Sequence, residues 1–439
     1  VFFCGEDGTI TVQDQEEGNR DRRLGQRLGG YIVVAQVADG AMGRVYEGRH
    51  AENKSRVAIK VLHEPVAEDR VAVERFKREY ETAGELKDPR IIKVLEFGET
   101  PEGSYFMTME YLEGEELRKA LERERTLPKE RIIRVVCQIA LALDHAHSFG
   151  FIHRDLKPDN IFLCFTRQGD AVRILDFGSV KLQVETGPKL TALGTTLGSP
   201  YYMSPEQARG AGDVDQRTDV FALSAIVYEM ITGNVAFGAP NVAQILVKIM
   251  SESPQSPSTL NPSSPQSLDD VIEKGLHKDK NKRYGSAIEF AQALLTAYGF
   301  TGTVAKWADT PQEEIKSALE NAVPPSPKPY GAESLPPQQP SAAAVKQIQD
   351  AAADAGVSMP RMSPPPTVES PLSSSSALSN AAALSFPPAS SSKIKTPFLD
   401  EGETTSIGTR RTKDFAYGII IGMVGALIAM GAALALFAK

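Results

Sequence analysis

Eight consecutive residues, His153-Arg154-Asp155-Leu156-Lys157-Pro158-Asp159-Asn160, gather carboxylates, an ammonium and an amide into one short polar stretch. Asp176-Phe177-Gly178 follows, with Asp176 16 residues after Asn160. Upstream, Val57-Ala58-Ile59-Lys60 reads as a strand that ends in a lysine with a buried stem. A lysine can pair with phosphates. An amide and a carboxylate supply the oxygen donors that a hard divalent cation prefers. A second carboxylate can orient a hydroxyl and take its proton. These are the parts needed to hold a magnesium-nucleotide and to pass its terminal phosphoryl group to an alcohol. Any one of them alone is compatible with surface Asp and Asn in turns; the three in this order and at these separations point to the chemistry.

The elements that must position these groups can be read from apolar periodicity. Strand patterns run over 31–34, 45–47, 56–62, 91–97 and 105–111, with a glycine turn near 40. Residues 68–87 carry Val71, Phe76, Tyr80 and Ala83 at helical spacing before Asp88-Pro89 stops the run. The first lobe is thus expected to hold five strands and one helix. After Gly114 the chain turns helical: Pro128 opens a helix with the stripe Ile132, Val135, Val136, Ile139 and Leu143, and further helices are expected over 218–232 and 286–297. The segment 151–180, which carries the polar motifs, reads as a loop. The fold class expected is α+β, a small β-rich lobe hinged to a larger α-helical lobe with a ligand cleft between them.

Composition divides the rest. A polar leader occupies 1–30. It contains Cys4-Gly5, either the tail of a zinc knuckle or a plain small residue, and a first residue other than Met suggests a fragment of a longer reading frame. Residues 299–414 are rich in Pro, Ser and Ala and are expected to form a disordered linker, with an end-to-end distance of about 60 Å. Residues 415–438 are apolar and uncharged, long enough to cross a bilayer core. Arg410, Arg411 and Lys413 on the near side predict a single-pass span in the cell (inner) membrane, with everything before it cytoplasmic. Gly418 and Gly422 form a G-x-x-x-G pair that would let two spans pack as a homodimer. A net charge of −8 and the absence of a basic tract argue against a nucleic-acid partner. The three cysteines lie far apart, without metal-ligand spacing, which fits a reducing compartment.

The segment Gly198-Ser199-Pro200-Tyr201-Tyr202-Met203-Ser204-Pro205-Glu206, taken with the motifs above, resembles the Hanks-type protein kinases over residues 31–298, most closely their bacterial Ser/Thr branch. The resemblance implies the bilobal protein-kinase fold, ATP and Mg²⁺ as cofactors, and protein substrates. It assigns Lys60 to the α- and β-phosphates and Glu79 to holding Lys60, with Glu74, Glu81 and Glu85 as competitors. It assigns Asp155 to the substrate hydroxyl, Lys157 to the moving phosphoryl, and Asn160 and Asp176 to the metal. Gly40 and Gly43 would cover the phosphates, and Ala38 stands where the family places its first glycine. Val45, Ala58 and Phe162 would sandwich the purine, Met109 would back its pocket, and the backbone of Glu110 and Leu112 would meet its edge.

Arg154 beside Asp155 implies control by a phosphorylated activation segment, with Thr191, Thr195 or Thr196 as the autophosphorylated residue. Ser199 stands where the family usually has Thr. Glu206 and Arg283 are expected to pair, and Asp219 to fix the catalytic-loop backbone. The expected function is a membrane-tethered Ser/Thr protein kinase. The alternative is a pseudokinase scaffold that binds nucleotide or partners without catalysis, and a third reading is a small-molecule kinase on the same fold.

Overall fold

In a β-strand successive side chains point to opposite faces, and the first lobe uses this to separate its core from its cleft. The computed structural model describes residues 21–177 and 200–325, with the backbone of the short strands β1 (Phe2–Phe3) and β2 (Ile10–Thr11). Strands β3 (Arg27–Leu28), β4 (Tyr31–Asp39), β5 (Gly43–His50), β6 (Arg56–Leu62), β7 (Val94–Glu99) and β8 (Tyr105–Glu110) form one sheet in the order β3-β4-β5-β6-β8-β7, antiparallel throughout. Along β6, Val57, Ile59 and Val61 are at most 2% exposed and join Val33, Tyr46 and Phe106 in a core. Arg56, Ala58 and Lys60 alternate with them and therefore share the opposite face.

The helix expected over 68–87 is α2 (Arg70–Glu85), preceded by the one-turn α1 (Glu64–Ala67). Asp69 caps α2 by accepting from the Val71 N–H at 2.9 Å. Phe76, fully buried, packs α2 against Leu62 of β6 and Met107 of β8. Val71, read as part of the apolar stripe, is 54% exposed.

The second lobe is built around α4 (Lys129–Ser148) and α6 (Arg217–Thr232). The expected stripe on α4 is buried, and every residue of α6 from Thr218 to Thr232 is buried before Gly233, at φ 70°, ends the helix. β9 (Gly114–Glu116) and α3 (Leu117–Glu124) lead in from the first lobe. Strands β10 (Ile161–Thr166) and β11 (Gly169–Ile174) form an antiparallel hairpin that pairs with β9. This hairpin corrects the reading of 151–180 as a loop: Ile161, Leu163, Val172 and Ile174 are fully buried, an alternation too short to stand out among the polar motifs around it. Helices α5 (Pro205–Ala208), α7 (Val242–Ser251), α8 (Pro257–Leu260), α9 (Ser267–Gly275) and α10 (Ala287–Ala297) complete the lobe.

The described chain does not give way to a linker at 299. Helices α11 (Val304–Asp309) and α12 (Gln312–Asn321) lie against α4, with Val304, Trp307, Ala308 and Ile315 inside the main core. Their apolar residues recur at helical spacing and fill a groove behind α4, whereas the Pro/Ser/Ala composition takes hold only beyond them. Thr186, Thr191, Thr195, Thr196 and Ser199, the rest of the 299–414 segment beyond 325, and the 415–438 span lie outside the described residues. Among the described residues no helix is long and apolar enough to cross a membrane.

Candidate active site

The β6 face that carries Lys60 looks toward α2, and the lysine meets two carboxylates there. Its Nζ donates to Glu79 Oε1 at 2.8 Å and Oε2 at 3.1 Å, and to Asp176 Oδ1 at 3.0 Å. Of the four glutamates on α2 that could have met Lys60, Glu79 alone turns inward; Glu74, Glu81 and Glu85 are exposed. Burial disfavours the ammonium, but Asp176 and Glu79 together outweigh it and hold Lys60 above its ordinary pKa. Burial also pushes the Glu79 carboxyl well above the usual range, and repulsion from Asp176 adds to this against the attraction of Lys60. Asp176 goes the other way: burial would raise it, and Lys60 brings it below the ordinary value. The Asp176 side chain is 46% exposed, whereas Glu79 is buried.

Asp176 has φ 54° and Arg154 φ 65°, left-handed conformations that cost a residue with a Cβ about 1 kcal/mol each. Buried hydrogen bonds hold both in place. The Asp219 carboxylate, fully buried at the start of α6, accepts the N–H of His153 and of Arg154, each at 2.9 Å, and the His147 Nε2 at 2.7 Å. Burial opposes its charge, yet these donors keep its pKa low. Gln207 Nε2 donates to the Arg154 carbonyl at 2.6 Å. The His153 ring, fully buried, packs tilted against Phe177 with the ring centroids 4.7 Å apart. Its Nδ1 accepts the Asp155 N–H at 3.3 Å, which leaves the proton on Nε2 to donate to the Leu175 carbonyl at 3.0 Å. One ring thereby fixes the backbone on both sides of the site.

Asp155 projects from this braced loop with 44% of its side chain exposed. Lys157 Nζ donates to its Oδ2 at 2.7 Å, and Asn160 Nδ2 donates to its carbonyl at 2.8 Å and to Oδ2 at 3.3 Å. With the amide nitrogen of Asn160 so used, its Oδ1 remains as an acceptor, and Asp176 commits Oδ1 to Lys60. Amide and carboxylate oxygens of this kind suit Mg²⁺, so the donor set fits the expected metal. Asn160 and Asp176 flank the open end of the β10–β11 hairpin, one before β10 and one after β11, where the Leu175 N–H donates to the Asn160 carbonyl at 2.9 Å.

Most of the remaining expected residues lie on the first-lobe sheet, with Leu112 just after β8 and Phe162 on β10. Ala38 pairs with Val45, Val45 with Lys60, and Ala58 with Met109. Val45, Ala58, Met109, Leu112 and Phe162 are all half-buried, while Tyr46, Val57, Ile59, Ile161 and Leu163 beside them are buried. Met109 packs beside Leu62, Phe76 and Met107. Glu110 accepts from Arg173 Nε at 3.2 Å and from the Lys93 N–H at 3.0 Å, which ties the end of β8 to the second lobe. Gly43 is required by packing: a Cβ there would lie 2.2 Å from the Val61 carbonyl oxygen. Gly40 has no such constraint; it closes the β4–β5 turn through its N–H to the Gly43 carbonyl at 3.0 Å.

Glu206 and Arg283 form a bidentate pair with both distances 2.7 Å, the Arg283 side chain wholly enclosed. His147, His153 as a positioning ring and Gln207 were not singled out from the sequence. His153 lies inside the polar stretch, but nothing local in a helix-terminal His147 signals an aspartate that is 72 residues away.

Residues 31–298 match the family described as protein kinase domain. The chain is 38% identical over 269 residues to serine/threonine-protein kinase pkn3 of Myxococcus xanthus, covering 60% of this chain and 49% of that protein. It is 33% identical over 327 residues to serine/threonine-protein kinase PknH of Mycobacterium tuberculosis, covering 73% of this chain and 50% of the relative. The chain therefore spans about half the length of these relatives. A crystal structure of the M. tuberculosis PknI kinase domain aligns with a TM-score of 0.50 at 30% identity, over 62% of this chain and 97% of that one.

Proposed function

The chain belongs to the protein kinase family, and from that premise we propose that it is a serine/threonine protein kinase, transferring the γ-phosphoryl group of ATP to Ser or Thr hydroxyls of proteins. The observation that carries this reading is Lys60 bonded at once to Glu79 and Asp176. A charge-poised lysine between a helix carboxylate and a metal-type carboxylate is the arrangement that phosphoryl transfer requires.

In this reading Lys60 binds the α- and β-phosphates, and Glu79 keeps its ammonium aimed into the cleft. Asp155 accepts the hydroxyl hydrogen bond and orients the oxygen in line with the γ-phosphorus. Lys157, bonded to Asp155 Oδ2, brings positive charge to the transferring group. Asn160 and Asp176 would hold Mg²⁺, which supplies neutralisation of the phosphate charge when bound. Val45, Ala58 and Phe162 clasp the purine, and the backbone of Glu110 and Leu112 reads its edge.

Autophosphorylation at Thr191, Thr195 or Thr196 is part of the same proposal. It draws support from Arg154, whose buried Nε has no hydrogen-bond partner among the described residues. Tethering of a cytoplasmic catalytic unit to the inner membrane through residues 415–438, with pairing through Gly418 and Gly422, is proposed on the sequence pattern alone.

Incubation of the purified chain with Mg-ATP and a generic acceptor, followed by phosphosite mapping, tests the reading. Wild type is expected to label Ser and Thr, and Asp155→Asn to lose transfer by about 10²–10⁴-fold while nucleotide still binds. Nucleotide binding without labelling of any acceptor would leave a pseudokinase scaffold instead.

A further inference from the structure

Helices α11 and α12 follow the last residue that matches the kinase domain, yet they reach back to the hairpin that carries both metal-type ligands. The hairpin's open end holds Asn160 and Asp176; its closed end is the turn at Gln168 and Gly169. Gln312, the first residue of α12, donates its backbone N–H to the Gln168 carbonyl at 2.9 Å. Its side chain rests on Gly169, where φ is 99° and a Cβ would lie 2.7 Å from Gln312 Cβ. Arg134 of α4, 5% exposed, ties the same two parts independently: Nε donates to the Asp170 carbonyl at 2.9 Å, and Nη1 donates to the Thr310 carbonyl. Ile315 and Trp307 seat the two helices in the core.

We propose that residues 304–321 are a C-terminal brace of the catalytic unit, with Gln312 and Arg134 as positioning residues that set the β10–β11 hairpin and, through it, the separation of Asn160 and Asp176. The brace rests on the kinase reading for its consequence in catalysis, but not for its mechanical part. A hairpin of two short strands is a stiff lever when both ends are fixed, and it frays from its turn when one is released. Release at Gln168 lets Asn160 and Asp176 drift relative to one another, which weakens a metal that demands near-ideal octahedral geometry. A purely structural appendix would add stability and leave the hairpin and the metal dependence alone.

The test uses the full chain. Gln312→Pro removes the one N–H that holds Gln168, and it does so at the first position of a helix, where proline is well tolerated. Ile315→Asp unseats α12, Ile315→Leu is its conservative rescue, and Lys316→Ala on the exposed face is the control. Hydrogen exchange over 161–174 is measured together with binding of a fluorescent ATP analogue titrated with Mg²⁺. Gln312→Pro is expected to speed hairpin exchange and to weaken Mg²⁺-dependent binding by about 2- to 10-fold, the loss of one hydrogen bond. Ile315→Asp should do more, and Ile315→Leu and Lys316→Ala should behave as wild type. Unchanged hairpin exchange in Gln312→Pro, or faster exchange with Mg²⁺-dependent binding intact, overturns the proposal. If wild type transfers no phosphoryl group at all, the kinase reading fails by itself, and exchange and binding still decide the brace.

Discussion

Replacing Glu79 by Gln keeps the shape of the side chain and removes the charge that Lys60 leans on. Lys60 Nζ lies 2.8 and 3.1 Å from the two Glu79 oxygens and 3.0 Å from Asp176 Oδ1, so in Glu79→Gln the ammonium keeps one carboxylate and swings toward Asp176. Losing a hydrogen bond between charged groups costs about 1.5–3 kcal/mol, equivalent to about 10- to 150-fold in kcat/KM. Fold stability should move differently. Burial and Asp176 hold the Glu79 pKa above the usual carboxylate range, so the native state keeps this proton to a higher pH than the unfolded chain does. Between those two values stability falls as pH rises. The variant lacks that titration, so its melting temperature should not show this fall with pH across the window. Because kcat/KM reports groups of the free enzyme, the wild-type profile should also show an acid limb above the ordinary carboxylate range that the variant lacks. Steady-state phosphorylation of a generic acceptor against pH, with thermal unfolding on the same samples, reads both effects. A kcat/KM within threefold of wild type, or a loss that merely tracks a falling melting temperature, would refute the reasoning.

Two further outcomes concern the second lobe. Arg283→Ala strands Glu206 in the core and should cost about 3–5 kcal/mol, a drop in melting temperature on the order of 10 °C, while a double replacement by apolar residues of similar volume should recover much of it. The Lys278 Nζ is buried 4.0 Å from the centre of the Phe237 ring, with no acceptor among the described residues, and burial followed by Arg283 lowers its pKa from 10.5 to about 7. Its penalty is therefore full below pH about 7 and fades as pH rises toward 10.5. Lys278→Met should stabilise the fold by a few kcal/mol at pH 6 and by far less above pH 10, measured by denaturant unfolding; a gain independent of pH would contradict it.

The chemistry was legible because it is written in short covalent runs. Asp155, Lys157 and Asn160 occupy six consecutive positions, and a loop of that length leaves their side chains little choice but to converge. The strands of the first lobe were legible because one face is sealed and the other is not, so Val57, Ile59 and Val61 alternate with Ala58 and Lys60. Glu79 could be ranked above its competitors by spacing from Lys60 together with the family resemblance, but the rotation of α2 that turns it inward depends on Phe76 finding Leu62 and Met107.

The sequence by itself determined which groups are present, the strand alternation that points Lys60 away from the core, and the helical stripe that commits α4 to burial. Tertiary structure decided what those groups touch. Lys60 reaches Asp176 across 116 positions, Asp219 reaches His153 across 66, and Arg134 reaches Thr310 across 176. The physical reason is one of range: propensity and periodicity act within a few turns of chain, whereas buried charges and backbone donors are satisfied by whatever packing brings within about 3 Å.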